Sequence, residues 1–253
     1  MLNILLSGCN GKLSRAVIEF CETRRDVRII AGIDPAPGRV PLPFPVFSSA
    51  AEVDGIKPDV VLDCSLPKVL PGLLELTLRE KLPLVIATTG YGELEYTMLD
   101  EAAGRIPIFQ SGNMSLGILL LKQLARQAAQ VLGGSFDIEI VEAHHNQKLD
   151  APSGTAYILA DAVNEGLASP RSYAYERQSK REARPENEIG IHSIRGGTIT
   201  GEHTVIFAGF DEVVELTHRA YSKRIFAAGC LAAARWLADK PAGRYSMDDM
   251  FGN

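Results

Sequence analysis

The chain has 253 residues, of which 46% are hydrophobic and 23% charged, and its formal net charge is −5. That length holds one large domain or two small ones. An acidic balance without any long basic run argues against nucleic acid or an anionic membrane as a partner. No apolar run approaches the roughly 18 residues that span a bilayer. Leu2–Leu6 is too short for a secretory signal and lacks its basic flank, so a cytoplasmic protein without membrane contact is expected. Cys9, Cys21, Cys64 and Cys230 form no C-x-x-C pair, which fits reduced, mostly buried thiols.

In chain order, the first half alternates short apolar runs with helical stretches. Strands are expected at Asn3–Ser7, Val27–Ile33, Val60–Cys64, Pro83–Thr88 and Pro107–Gln110, and helices at Lys12–Arg24, Val69–Lys81 and Tyr96–Ala103. The Pro-rich segment Pro35–Pro45 reads as a loop. This alternation predicts a parallel sheet covered on both faces. Leu116–Leu132 then reads as a long apolar helix, and Phe136–Ala143 alternates like a half-buried strand. A helix over Ala156–Glu165 and a polar stretch over Pro170–Asn187 follow. Three strands are expected at Ile189–Arg195, Thr198–Phe207 and Asp211–His218, and a closing Ala-rich helix at Phe226–Asp239. The reading is an α/β fold: a Rossmann-type doubly wound parallel sheet, plus a second α+β domain with a mixed, largely antiparallel sheet. The first domain takes residues 1–114 and 223–253, because the last helix follows the second domain's strands; the second takes residues 115–222.

Ser7–Ser14 lies between the first strand and the first helix, with glycines at the first two positions of a G-x-x-G-x-x-G pattern and Ser14 at the third. Gly8 serves a tight turn, Gly11 lets the backbone approach a pyrophosphate, and the next helix points its positive end there. A plain two-glycine turn is the competing reading. Asp34, ending the second strand, suits ribose hydroxyls, whereas Lys12 or Arg39 suits a 2′-phosphate. NADH and NADPH both remain open. Thr88-Thr89-Gly90 follows another strand and is placed to hold a nicotinamide carboxamide, or is simply a loop.

Glu142–Ala156 reads EAHHNQKLDAPSGTA. It sets His144, His145 and Lys148 close to Ser153-Gly154-Thr155, a helix start that supplies oriented N–H groups. Histidine suits neutral-pH proton transfer, and lysine can donate a proton or pair with a carboxylate. The competing readings are surface polar residues, a plain N-cap at Ser153, or a metal site completed by Asp150 and a distant His192, His203 or His218. No H-x-x-x-H or H-E-x-x-H spacing supports the metal, and none is expected.

This segment resembles the signature E-x-H-H-x-x-K-x-D-x-P-S-G-T-A of the 4-hydroxy-tetrahydrodipicolinate (dihydrodipicolinate) reductases. Matches run along nearly the whole chain: Gly8–Leu13, Asp63-Cys64-Ser65, Thr88-Thr89-Gly90, Asn113-Met114-Ser115, Ile194–Gly197 and Gly201–Thr204. The resemblance implies reduction of a cyclic imine dicarboxylate with NADH or NADPH, on the diaminopimelate route to lysine, with the two domains closing over cofactor and substrate. It implies His144 as general acid/base and Lys148 as its catalytic partner. It places His145, Ser153, Gly154 and Thr155 on the substrate. Gly8, Asn10, Gly11, Lys12, Leu13, Asp34, Thr88, Gly90, Asn113 and Ser115 fall at cofactor positions. A homotetramer pairing the second domain's sheets is also implied. Ser14 departs from a usual glycine, which points to weaker cofactor binding, and Lys223 stands where an arginine is common. A non-enzymatic dinucleotide-binding redox sensor, or a reductase of another cyclic imine, is the alternative.

Overall fold

The computed structural model describes residues 1–251. The chain divides into two compact units, Met1–Ser115 with Lys223–Asn253, and Leu116–Ser222.

The first unit is built on seven strands: β1 (Leu2–Ser7), β2 (Val27–Ile33), β3 (Val46–Phe47), β4 (Val60–Asp63), β5 (Leu84–Ile86), β6 (Pro107–Gln110) and β12 (Gly243–Tyr245). They pair in the order β12-β6-β5-β4-β1-β2-β3, every pair parallel. Parallel strands buried on both faces need apolar side chains on both, and β1, β4 and β5 supply them. Leu5, Val61, Leu84 and Ile108 join one core with α2 (Leu70–Glu80) and α3 (Glu93–Ala103). Alternate residues such as Phe109 face the other way, where Trp236 of α6 (Arg224–Leu237) meets its ring edge-on at 6.1 Å. The helix α1 (Lys12–Glu22) packs beside α6. This is the doubly wound architecture expected from the alternating pattern. The edge strands β3 and β12 have two and three residues, too few to leave a period-two signature in the sequence. The helix α3 begins three residues before the expected Tyr96, because Glu95 reaches back to accept the Gly92 N–H at 2.9 Å.

The second unit carries α4 (Leu116–Leu132), β7 (Asp137–His144), α5 (Gly154–Gly166), β8 (Ser172–Ala174), β9 (Glu188–Arg195), β10 (Gly201–Ala208) and β11 (Val213–Ala220). Its sheet runs β11-β10-β7-β9-β8. The β10 pairings are antiparallel, and the β7–β9 and β8–β9 pairings are parallel. The sheet is mixed as expected, but its antiparallel share is smaller than the sequence suggested. The chain crosses from β7 to β9 through α5, which returns it in the same direction. Ile138 and Ile140 of β7, Ile189 and Ile191 of β9, and Val205 and Phe207 of β10 share one buried face with α4 and α5.

The charge-rich stretch before β9 is tied to the sheet. Arg184 donates to Glu139 at 2.9 Å, Asp137 at 2.6 Å and the Glu188 carbonyl at 2.6 Å, and Arg177 pairs with Glu188. No helix among the described residues is long and apolar enough to cross a membrane.

Candidate active site

In the first unit, the glycine turn lies at the carboxyl edge of the sheet, where β1 separates chain segments that wind in opposite directions. Gly8 has a φ of +72°. A Cβ there would stand 2.7 Å from the Cys64 carbonyl oxygen, so the position demands glycine twice over. The Gly8 N–H donates to the Ile33 carbonyl at 2.8 Å, and the Gly11 N–H to the Gly8 carbonyl at 2.9 Å. Ser14 is fully buried and donates its hydroxyl to the same Gly8 carbonyl at 2.7 Å. The departure from glycine therefore gives the turn an extra fastening.

Asp34 accepts the Asn10 N–H at 3.2 Å and the Ala36 N–H at 3.0 Å, while the Asn10 amide donates to the Ala36 carbonyl at 2.9 Å. The carboxylate thus stitches the turn to the end of β2. Lys12 and Arg39 are both exposed. The start of α1 has no side-chain cap, so its first N–H groups and positive dipole end are available to an anion. A cleft of about 320 Å³ opens here, lined by Ser7, Gly8, Ile33, Ser65, Lys68 and Gly72 among others. These features fit a dinucleotide laid across the point where strand order reverses.

Thr88, Gly90, Asn113 and Ser115 follow β5 and β6 at the same edge. The Thr88 hydroxyl is committed to Asp63 at 2.6 Å and accepts the Ser65 N–H at 3.0 Å, so this position offers a ligand its backbone rather than its hydroxyl. Asp63 is itself buried. Burial pushes its pKa up against the hydrogen bonds from Ser65 and Thr88. Gly90 is exposed with a φ of +85°, and Asn113 Oδ1 accepts the Ser115 N–H at 2.8 Å. Lys223 takes the N-cap position of α6 without a side-chain cap bond.

In the second unit, the apolar face shared by β7, β9 and β10 turns polar at one end. Glu142 follows Ile138 and Ile140 on that face, opposite His203 of β10, and His144 lies opposite Arg195 of β9. Glu142 is fully buried. Its carboxylate accepts from His144 Nδ1 at 2.6 Å, from both Arg195 terminal nitrogens at 2.6 and 2.8 Å, and from the Ser153 N–H at 3.1 Å. Burial alone would raise its pKa, but hydrogen bonds from Arg195, Ser193 and His144 and the Arg195 charge overcome that and hold it at about 2. Burial lowers the pKa of His144; Glu142 opposes the shift, and Lys148 and Arg195 reinforce it. An ionised carboxylate only accepts, so the neutral His144 ring carries its proton on Nδ1 and leaves Nε2 bare. Gly201 makes room for that nitrogen: a Cβ there would approach Nε2 to 3.2 Å.

Ser153 caps α5, accepting the Ala156 N–H at 3.2 Å, and its hydroxyl meets His203 Nε2 at 3.0 Å. The His203 ring stands edge-on to His144, centroids 5.2 Å apart. Burial, then the charge of His144, lowers the His203 pKa to about 3. Lys148 Nζ lies 2.8 Å from both Asp150 oxygens. Gly154 and Thr155 form the first turn of α5, and Gly154 is exposed. His145 is half-buried just beyond the end of β7, and its carbonyl accepts the Lys148 N–H at 3.1 Å.

The structure thus gathers His144, Lys148, Ser153, Gly154 and Thr155 around the start of α5. It adds Glu142, Arg195 and His203 as their partners; the sequence reading left Glu142 and Arg195 out of the site and weighed His203 only as a metal ligand. One signal was present. Glu142 continues the buried period of Ile138 and Ile140, and a buried carboxylate requires strong donors. Among the described residues, no group of three or more His, Cys, Asp or Glu side chains comes together to hold a metal.

A doubly wound sheet with such a turn, joined in one chain to a carboxylate-buttressed histidine beside a helix start, fits a pyridine-nucleotide-dependent oxidoreductase. Residues 2–114 match the family model described as dihydrodipicolinate reductase, N-terminus, and residues 117–251 match its C-terminus counterpart. The 4-hydroxy-tetrahydrodipicolinate reductase of Caldanaerobacter subterraneus is 48% identical over 250 residues, covering 99% of this chain and 98% of that protein. That of Clostridium tetani is 44% identical over 253 residues, covering 100% and 98%. Among solved structures, dipicolinate-bound dihydrodipicolinate reductase from Paenisporosarcina sp. TG-14 shares the fold with a TM-score of 0.80 at 24% identity, covering 97% of each chain. The chain belongs to the dihydrodipicolinate reductase family.

Proposed function

We infer that the chain reduces 4-hydroxy-tetrahydrodipicolinate, by way of dihydrodipicolinate, to tetrahydrodipicolinate in the diaminopimelate route to lysine. The observation that carries the reading is His144, buttressed by a buried carboxylate at the positive start of α5, in a chain 48% identical to a reductase of that name. NADH or NADPH supplies the hydride, from nicotinamide C4. We assign its binding to the first unit, through Gly8, Asn10, Gly11, Lys12, Leu13, Asp34, Thr88, Gly90, Asn113 and Ser115.

The second unit is assigned to substrate binding, catalysis and assembly. A cyclic dicarboxylate needs cations and oriented N–H groups. In this reading Ser153, Gly154 and Thr155 meet one carboxylate at the dipole end of α5, and His145 assists. Lys148 rests on Asp150, which is 61% exposed. Such an exposed pair contributes about 1 kcal/mol or less, so a substrate carboxylate competes for the ammonium easily. In its imidazolium form His144 gives the Nε2 proton to the substrate ring as hydride arrives and is left as the Nδ1–H tautomer, with Lys148 as its catalytic partner. A non-enzymatic sensor has no use for this arrangement. The open face of the five-stranded sheet, with Ile194 50% and Val213 59% exposed, is the surface through which a cytoplasmic homotetramer would form.

The test is reduction of the condensation product of aspartate semialdehyde and pyruvate, followed by NADH and NADPH oxidation. His144→Ala and Lys148→Ala are each expected to lower turnover by roughly 10²-fold or more, as for a lost general acid. Near-normal rates in both variants refute these roles.

A further inference from the structure

We propose that Glu142, clamped by Arg195, is a positioning residue for the reduction: it orients the His144 ring and dictates which ring nitrogen carries the proton. The proposal rests on the reading that His144 exchanges the proton with substrate.

The geometry argues for more than a structural ion pair. A fully buried carboxylate is costly unless its lone pairs are filled by strong donors. The Arg195 fork engages both oxygens of Glu142 and would by itself satisfy a charge pair. Yet Oε2 is also spent on His144 Nδ1, at 2.6 Å. Oε1 accepts the Ser153 N–H, which ties the carboxylate to the start of α5. Arg195 donates in addition to the Asp150 carbonyl at 2.7 Å, so one guanidinium holds both the carboxylate and the loop that carries Lys148.

Without a carboxylate at Nδ1, the neutral ring is free to carry its proton on Nε2 and offer substrate the wrong group. The charged and titratable groups around the ring are Glu142 on its own strand, Arg195 on β9, His203 on β10, and Lys148 with its partner Asp150 in the following loop. The helix α5 contributes the neutral Ser153. Lys148 and Arg195 disfavour the imidazolium, and Glu142 favours it.

The test uses the full-length enzyme with isotope-labelled histidine and the variants Glu142→Gln, Arg195→Gln and His144→Gln. Nitrogen NMR of the wild type is expected to show His144 protonated on Nδ1. Glu142→Gln should populate the Nε2-protonated form. It should also lower kcat by roughly 10- to 100-fold and move the His144 limb of the pH–rate profile about one unit to acid. Arg195→Gln keeps the carboxylate and removes a cation, so it should retain the Nδ1 form and move the same limb to alkaline pH. A merely structural role leaves the tautomer unchanged. An unchanged tautomer and limb in Glu142→Gln overturn the proposal. Should that variant fail to fold, loss of the Nδ1 form in Arg195→Gln, which keeps the carboxylate, overturns it. Near-normal turnover in His144→Gln would instead refute the acid–base reading beneath it.

Discussion

His203 makes the stability of the second unit depend on pH above the range where carboxylates titrate. The residue is 4% exposed, and burial followed by the nearby His144 lowers its pKa to about 3. In the unfolded chain an unperturbed histidine titrates near ~6.5. The unfolded state therefore takes up a proton as pH falls through that value, while the folded state refuses it until about 3. The contribution is fully present above the unfolded value and is lost progressively as pH falls towards the folded one. At pH 5 the unfolded side chain is favoured by 10 raised to ~1.5, which corresponds to a loss of about 2 kcal/mol relative to pH 7.5. Glu142, held at about 2, adds nothing until lower pH. His144 and His218 are shifted in the same direction as His203, so some slope remains without it. The comparison is urea unfolding of wild type and His203→Gln at pH 7.5 and pH 5. The wild type should lose about 2 kcal/mol more than the variant over that interval. Equal losses in the two proteins would refute the reasoning.

Two further predictions concern the glycine turn. Gly8→Ala forces a side chain into a left-handed backbone and against the Cys64 carbonyl; NADH affinity measured by fluorescence titration should fall by roughly tenfold or more, from strain of about 1–2 kcal/mol and the clash, and undiminished affinity would count against the turn as the phosphate site. Ser14→Ala removes the hydroxyl bond to the Gly8 carbonyl, which should cost about 0.5–1.5 kcal/mol of turn stability and raise the Kd for NADH by roughly three- to tenfold; tighter binding in the variant would show that Ser14 weakens the site.

The parts of the fold legible in the sequence are those whose signal is local. The apolar runs of β1, β4 and β5 mark buried parallel strands, because both faces are covered. The turn at Gly8 is legible because a tight strand-to-helix connection requires glycine, and Ser153 because a helix start requires a cap. The edge strands β3, β8 and β12 escaped notice, since two or three residues cannot display a period. Ser14 was read as a loss; its hydroxyl bond to Gly8 depends on how the turn folds back on itself.

The sequence by itself determined the alternation of strands and helices in the first unit, the glycine turn and the grouping of His144 and Lys148 with the start of α5. All of these rest on spacings of fewer than about twenty residues, where backbone geometry leaves few choices. The tertiary structure alone decided how His144 is held. Arg195 reaches Glu142 across 53 residues of chain, and His203 reaches Ser153 across 50. Those meetings follow from β9 and β10 pairing on either side of β7 in one register. Strand pairing is a long-range choice that no local periodicity encodes. The His144 ring is held in one orientation only once that sheet has formed around a buried carboxylate.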